Sequence, residues 1–241
     1  MIEREVDIQT ADGFMNSFIT YPDEGGPFPV VLFYMDAPGK REELHDMARR
    51  IATVGYYVLL PNLYYRSVRE VTYDGTDAAR KRMFELMSTL DIARINADTA
   101  SMLAFLEGEE DARQGRIGCV GYCMSGPFVF GVAGAYPDRV AAAASMYGVR
   151  LCTDAADSPH LTADRVRGEL YFGVAETDEW APPAMIDALG KHLAKVGVRH
   201  RIEWYPGTHH GFAFPQRPAV FNKAAAETHW SRLFALFARN L

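Results

Sequence analysis

The 241-residue sequence predicts a single α/β domain over residues 1–241, with a mostly parallel central sheet, an N-terminal antiparallel hairpin and helices on both faces. Three observations predict this class. Short continuous apolar runs are typical of parallel strands buried on both faces. Amphipathic segments separate these runs, as in β-α-β units. No stretch has the composition of a linker, and one α/β domain commonly spans roughly 200–250 residues.

The N-terminal hairpin comes first in the chain. Residues 6–10 and 15–21 alternate polar and apolar side chains around Asp12-Gly13, which is a turn signal. Strands and helices then alternate to the end of the chain. The predicted strands are 30–34, 57–61, 116–121, 141–147, 170–174 and 200–205, and the predicted helices are 42–54, 78–90, 92–106, 126–135, 183–196 and 218–239.

Charge and composition exclude several classes of partner. The net charge is −6, with 25 basic and 31 acidic residues and no basic stripe, so no nucleic-acid partner is expected. Apolar runs such as 30–35 are too short to cross a bilayer, so no membrane association is expected. The N-terminus carries acidic residues where a signal peptide is apolar, which predicts a cytoplasmic protein. The sequence leaves open a monomer or a small homo-oligomer.

The three cysteines are predicted to be free thiols. They cannot form a disulfide scaffold, and they lack the paired short spacings of a zinc site. Nothing in the sequence calls for a metal or an organic cofactor. The cysteines are Cys119, Cys123 and Cys152.

A possible nucleophile lies between a predicted strand and a predicted helix. The chain there reads Gly-Tyr-Cys-Met-Ser-Gly over 121–126. Small residues on both sides of a central residue permit a very tight strand-to-helix turn, which exposes Cys123 at its tip. The positive end of the following helix favours an anion such as a thiolate. The alternative is that Cys123 is a small buried residue beside an ordinary glycine-rich turn.

Two later loops supply an acid and a base. Asp178 follows the predicted strand 170–174, and His210 follows the predicted strand 200–205. With Cys123 they stand in the order nucleophile, acid, histidine, which is that of triads on such sheets. Asp178 could instead cap a turn, and the pair His209-His210 could suggest a metal ligand, but no further His or Cys stands nearby at ligand spacing. The combination predicts His210 as base, oriented by Asp178.

With these motifs in place, the sequence resembles the dienelactone hydrolase family of the α/β-hydrolase superfamily. The matching segments are 121–126, the Asp178 loop after Phe172-Gly173, and Tyr-Pro-Gly-Thr-His-His-Gly-Phe over 205–212. The resemblance implies an α/β-hydrolase fold and a hydrolase that opens small-molecule esters or lactones with this triad, through a thioester on the cysteine. It also implies an oxyanion hole formed by the backbone N–H groups of Met124 and Ala37.

The sequence departs from the family pattern after the third strand. The family has a glutamate there that helps control protonation of the resting thiol, and this chain has Asp36. The resemblance implies that Asp36 is an acid near the nucleophile. The shorter side chain could equally be a loop carboxylate that accepts hydrogen bonds from nearby backbone N–H groups.

A second departure concerns the substrate. Phe214 stands where family members carry an arginine for the substrate carboxylate, so a more apolar pocket is expected, although Arg217, Arg80 or Arg82 could compensate. The loops 62–76 and 150–165 are expected to shape this pocket. Residues near strand ends are candidates for substrate contact, or for core packing instead. The candidates are Tyr34, Tyr64, Tyr147, Trp180, Phe214 and Arg82.

Two rival functions remain open from the sequence. A thioesterase or acyltransferase would keep the same triad and change the acceptor. A non-catalytic protein that binds small molecules would keep the fold without turnover. The three triad residues stand in register after three predicted strands, which argues against the non-catalytic alternative.

Overall fold

The computed structural model describes residues 1–241, which divide into two compact units, Met1–Arg116 and Ile117–Leu241. The predicted fold class is confirmed: eight strands and six α-helices make a mixed α/β fold that begins with an antiparallel hairpin. The expectation of one domain over 1–241 stays a prediction. The strands are β1 (Ile2–Thr10), β2 (Gly13–Tyr21), β3 (Val30–Tyr34), β4 (Tyr57–Pro61), β5 (Ile117–Tyr122), β6 (Val140–Met146), β7 (Glu169–Thr177) and β8 (His200–His209). The α-helices are α1 (Glu42–Ala52), α2 (Asp77–Met87), α3 (Ile92–Leu106), α4 (Gly126–Ala135), α5 (Pro183–Val196) and α6 (Lys223–Ala238).

The first unit contains β1 to β4 and α1 to α3. Its strand order is β1-β2-β4-β3, in which β2 pairs antiparallel with β4 and β3 pairs parallel with β4. Every residue of β3 and β4 is buried, which explains why their apolar runs predicted both bounds. Asn62 Nδ2 donates to the backbone carbonyls of Val68 and Arg69 and so fixes the start of the predicted pocket loop.

The second unit contains β5 to β8, which are all parallel in the order β5-β6-β7-β8. Helix α4 is apolar and almost wholly buried, and it packs against β5 and β6. In a parallel sheet the carboxyl ends of all strands lie at one edge. The four loops that follow these strands therefore begin side by side, and three of them carry the predicted triad.

Some element bounds differ from the prediction for physical reasons. Helix α6 begins at Lys223 instead of 218, because the Asn222 side chain caps it by accepting from the Ala225 N–H at 3.1 Å. Strand β8 continues to His209, past Pro206 and Gly207, where the pairing with β7 shifts register. Two 3₁₀ helices, Cys123–Ser125 and Pro159–Arg165, were not predicted. None of the helices combines the length and apolar character needed to cross a bilayer.

Candidate active site

The bend after β5 presents Cys123 to solvent. The residue has φ of +55°, a left-handed conformation that side chains other than glycine rarely adopt. Gly121 precedes the bend, and a Cβ at that position would lie 2.4 Å from the backbone oxygen of Ser125. Only glycine fits such a close approach. Cys123 is partly exposed, whereas Met124 behind it is buried.

Asp178 and His210 meet at the same edge of the sheet. His210 Nδ1 lies 2.7 Å from Asp178 Oδ2, and the Asp178 side chain has no exposed surface. The other carboxylate oxygen of Asp178 accepts from the backbone N–H of Trp180 at 2.9 Å. Because a carboxylate only accepts, Nδ1 carries the proton of the neutral ring, and Nε2 is left to act as a base.

The environment of His210 favours the protonated ring. Burial lowers the pKa of His210, but the hydrogen bond to Asp178 and the interactions with Cys123 outweigh it and raise the pKa to about 9. Nε2 is buried and makes no hydrogen bond of standard geometry, although Cys123 contributes to the raised pKa of the ring. The His210 ring is therefore favoured in its imidazolium form at neutral pH.

One aromatic ring contacts the imidazole and connects it to a cluster of phenylalanines. The Tyr147 ring makes a T-shaped contact with His210, with centroids 5.1 Å apart, and it also packs on Phe212 at 5.3 Å. Phe214 is fully buried, and the Arg217 guanidinium lies over its ring at 4.3 Å. Trp180 is 47% exposed beside Asp178. The roles of Tyr147, Phe214 and Trp180 in substrate binding stay predictions.

The first unit holds the other predicted site residues. Asp36 is fully buried, and Arg41 Nη1 donates to Asp36 Oδ1 at 2.5 Å, while Arg41 Nη2 donates to Glu43 Oε2 at 2.5 Å. Arg41 was missed at the sequence level, because a spacing of five residues across a loop carries no pairing signal. Ala37 is buried, and its carbonyl accepts from the Tyr64 hydroxyl at 2.8 Å. The oxyanion role of Ala37 and the role of Asp36 stay predictions.

Two further candidates in this unit make local contacts. The Tyr34 hydroxyl lies 2.8 Å from Thr99 Oγ1 inside the core. Arg82 is about half exposed on α2 and pairs with Glu85 at 3.3 Å, three residues along the same helix. Contact of Tyr34, Tyr64 or Arg82 with substrate stays a prediction.

The other two thiols differ from Cys123. Cys119 is buried inside β5, and desolvation raises its pKa far above the usual range. Cys152 is partly exposed, and burial together with the Asp154 charge raises its pKa. Neither thiol has the imidazole neighbour of Cys123. No group of three or more His, Cys, Asp or Glu side chains is arranged to hold a metal ion.

Comparison with known proteins adds a family. A model described as the dienelactone hydrolase family matches residues 15–241. A candidate carboxymethylenebutenolidase of Synechocystis sp. is 30% identical over 233 residues, covering 93% of this chain and 91% of that protein. Another of the same name from Methylorubrum extorquens is 29% identical over 237 residues, covering 97% and 79%.

Solved structures show the same fold. A candidate dienelactone hydrolase from Klebsiella pneumoniae matches with a TM-score of 0.88 at 24% identity, and 98% of each chain is covered. A dienelactone hydrolase-like promiscuous phosphotriesterase, P91 from metagenomic libraries, matches with a TM-score of 0.83 at 16% identity, covering 99% of this chain and 98% of that one.

Proposed function

Because this chain belongs to the dienelactone hydrolase family, we propose that it hydrolyses small-molecule carboxylic esters or lactones, with Cys123 as the nucleophile. The observation that carries the proposal is the ring of His210, which bonds to buried Asp178 at 2.7 Å and has a pKa raised to about 9 by Asp178 and Cys123. Such a ring can hold the proton that a thiol must lose before it attacks a carbonyl.

The first chemical step forms a thioester. The Cys123 thiolate adds to the carbonyl carbon of the substrate, and the carbonyl electron pair moves onto oxygen. The backbone N–H of Met124 is proposed to stabilise this oxyanion, and a donor of this kind typically contributes about 10²–10³ in rate. The adduct then expels the alkoxide or enolate, which takes a proton from the His210 imidazolium and leaves as the alcohol or enol.

The second step releases the acid. Neutral His210 takes a proton from water, and the resulting hydroxide adds to the thioester carbonyl. Collapse of this adduct breaks the carbon–sulfur bond and returns the Cys123 thiolate beside a protonated His210. Asp178 keeps its hydrogen bond to Nδ1 throughout, which fixes the orientation of the ring. For each water consumed, an ester gives one carboxylic acid and one alcohol or enol, whereas a lactone gives a single ring-opened product that carries both groups.

Sulfur chemistry sets the substrate class. The tetrahedral adduct carries the Cys123 sulfur and the substrate oxygen on one carbon, and it expels the better leaving group. Because a thiolate leaves more readily than a simple alkoxide, the adduct of a simple alkyl ester returns mostly to the starting ester. Productive substrates are therefore aryl esters, enol esters and unsaturated lactones, whose oxygen leaving groups are stabilised. Amides, whose nitrogen leaves poorly, are expected to be inert.

A substrate panel tests this function. Hydrolysis rates are measured for p-nitrophenyl acetate, an unsaturated γ-lactone, an ethyl ester and p-nitroacetanilide, with wild-type protein and with Cys123→Ala. We expect turnover of the aryl ester and the lactone by the wild type alone, and none of the anilide. Equal rates for wild type and Cys123→Ala, or no turnover of any ester or lactone, would refute the proposal.

The same panel separates hydrolysis from acyl transfer. Added ethanol or a small thiol competes with water for the thioester, and the product ratio reports the preferred acceptor. A hydrolase gives mainly free acid, while an acyltransferase gives mainly the new ester or thioester. Binding of the lactone without any product would instead indicate the non-catalytic alternative.

A further inference from the structure

A strained turn follows β6, between the strands that deliver the nucleophile and the acid. We call residues 147–150 the Tyr147 turn. Tyr147 has φ of +38° and Arg150 has φ of +53°, and Cys123 is the other non-glycine residue with positive φ. Such conformations cost free energy, and they persist where the surrounding structure holds them in place, often at functional sites.

The Tyr147 turn is hydrogen-bonded to both of its neighbours. The backbone N–H of Val149 donates to the carbonyl of Cys123 at 3.2 Å. The backbone N–H of Tyr147 donates to the carbonyl of Gly173, in β7, at 2.6 Å. The turn is therefore tied on one side to the nucleophile and on the other to the strand that ends just before Asp178.

The side chain of the turn reaches the base. The Tyr147 ring is fully buried and packs against His210 with centroids 5.1 Å apart and an angle of 65° between the planes. Groups that can carry a charge and that interact with the His210 ring include Asp178, Cys123 and the Tyr147 phenol. One short segment thus contacts both the nucleophile and the base through different atoms.

Gly148 sets the depth at which the turn packs. A Cβ at this position would lie 2.1 Å from Ser145 Oγ and 3.0 Å from the Cα of Gly126, the first residue of α4. Only glycine lets the backbone approach so closely. Ser145 Oγ is buried and makes no hydrogen bond, so it contributes bulk and no bonding to this contact.

We propose that the Tyr147 turn is a positioning element that sets the distance and angle between Cys123 and His210. Tyr147 and Gly148 act in it as positioning residues, because neither takes part in the proposed bond-making and proton-transfer steps; contact of Tyr147 with substrate stays a separate prediction. The inference rests on the proposed function, because the distance and angle between Cys123 and His210 affect the rate only if these two residues carry out the reaction. A displacement of the nucleophile relative to its base by about 1 Å lowers the reaction rate by roughly 10–100-fold.

The main test is Gly148→Ala, which forces the turn away from Ser145 and α4. Alkylation of Cys123 by iodoacetamide is measured between pH 5 and 10 by mass spectrometry of the digested protein. Wild-type Cys123 should be alkylated at lower pH than Cys152, which has no imidazole partner and whose pKa is raised by burial and by the charge of Asp154. In Gly148→Ala the two profiles should lie closer together, and kcat for p-nitrophenyl acetate should fall about tenfold or more with little change in KM.

Two controls accompany this variant. Ser145→Ala removes the closest clashing atom and no hydrogen bond, so alone it should leave rates and profile unchanged, and combined with Gly148→Ala it should restore much of the lost activity. Cys152, in the same digests, supplies a thiol without an imidazole partner. It follows Leu151, whose Cδ2 would lie 3.2 Å from a Cβ at Gly148, so its profile reports any general disturbance of this segment and should move less than that of Cys123 in every variant.

A second pair of variants tests the ring and keeps the proposal falsifiable if Gly148→Ala fails to fold. Tyr147→Leu removes the ring from His210 and should lower kcat about tenfold and shift the Cys123 profile, whereas Tyr147→Phe retains the ring and should keep the wild-type Cys123 profile.

Each outcome decides one of the two proposals. A folded Gly148→Ala or Tyr147→Leu with wild-type kcat and a wild-type alkylation profile overturns the positioning role. A lower free energy of unfolding with an unchanged alkylation profile of Cys123 also overturns the positioning role, because that result shows that the turn contributes only to stability. If wild-type Cys123 reacts like Cys152 and forms no acyl adduct with p-nitrophenyl acetate, the proposed function itself fails.

Discussion

Two aspartates in the two units of the molecule occupy matching positions and have different partners. Asp36 follows the buried strand β3, and Asp178 follows the buried strand β7; both side chains have no exposed surface. Arg41 binds Asp36, and His210 binds Asp178. Burying a carboxylate is costly unless it is paired, so both partners stabilise their acid. Only the imidazole can release a proton near neutral pH.

The comparison indicates that the partner of a buried carboxylate determines whether the pair can exchange a proton near neutral pH. Desolvation lowers the pKa of Arg41, but Asp36 and Glu43 outweigh it and raise that pKa further, so Arg41 stays charged under all ordinary conditions. Because a permanent cation exchanges no proton at neutral pH, we expect Arg41 and its two carboxylates to contribute to stability. The Asp178–His210 pair can move a proton, and its expected contribution is to activity.

The largest effect is expected from removing the titratable partner. His210→Ala leaves Asp178 without its imidazole and Cys123 without its proton acceptor. We expect kcat for p-nitrophenyl acetate to fall about 10³-fold or more. Circular dichroism and thermal unfolding check that the fold is kept. Activity within tenfold of the wild type would show that another group is the base.

Asp178→Asn should have the next largest effect. The amide keeps the shape but can present its N–H₂ group to Nδ1, which favours the wrong tautomer of His210. We expect kcat to fall roughly 10²–10⁴-fold, with a smaller change in KM. A fall of less than threefold would place Asp178 with Asp36 as a structural acid.

The raised pKa of His210 also predicts a pH dependence of stability. Protonation stabilises the folded state, because the pKa is about 9 when folded and 6.5 when unfolded. The stabilisation is complete below pH 6.5 and is lost as pH rises through 9, and it amounts to about 3 kcal/mol. Urea unfolding from pH 6 to 10 measures it. His210→Gln should flatten this part of the profile, and an unchanged slope would contradict the raised pKa.

Asp36→Asn should affect stability more than activity. It leaves the mostly buried Arg41 with Glu43 as its remaining carboxylate, so we expect the free energy of unfolding to fall by roughly 2–4 kcal/mol. Urea unfolding measures this loss, and the kcat of the folded variant should exceed that of Asp178→Asn. The reverse pattern, with full stability and a large loss of kcat, would assign Asp36 to the chemistry.

Glu169→Gln provides the smallest effect and a matched control. Glu169 lies in β7 and bonds to Arg199, Arg239 and Asn240. Despite desolvation, these partners lower the pKa of Glu169 to about 2. Its stabilisation is present above pH 4.5 and is lost as pH falls towards 2.

The size of that effect follows from solvent exposure. Arg199 and Arg239 are about half exposed, so solvent screens the pair, and we expect a loss of about 1–2 kcal/mol at pH 7 with unchanged kcat. Unfolding at pH 7 and pH 3 measures it. A variant as stable as the wild type at pH 7 would contradict the lowered pKa.

The sequence predicted the buried elements best. The bounds of β3, β4, α3 and α5 agree with the structure, because continuous apolar runs and one-sided helical spacing directly reflect burial. The start of α6 was predicted five residues early. Residues 218–222 include apolar side chains like those of the helix, but the helix begins only after Asn222, whose side chain forms the cap.

The sequence predicted the part of the candidate site that depends only on the order of the strands. Asp178 and His210 follow neighbouring parallel strands, so chain order and strand ends placed them together. The contacts of the Tyr147 turn were not predictable, because a positive φ at tyrosine has no sequence signature. The pairing of Arg41 with Asp36 depends on the conformation of a loop, which periodicity does not specify.

The central claim, that Cys123 carries the acyl group, has one direct measurement. Protein is mixed with p-nitrophenyl acetate, quenched in acid within the first turnovers and digested for mass spectrometry. We predict a mass increase of one acetyl group on the peptide that contains Cys123, present in Asp178→Asn and absent from Cys123→Ala. Rapid ester hydrolysis with no adduct on Cys123, or an adduct on another residue that accounts for turnover, would contradict the account.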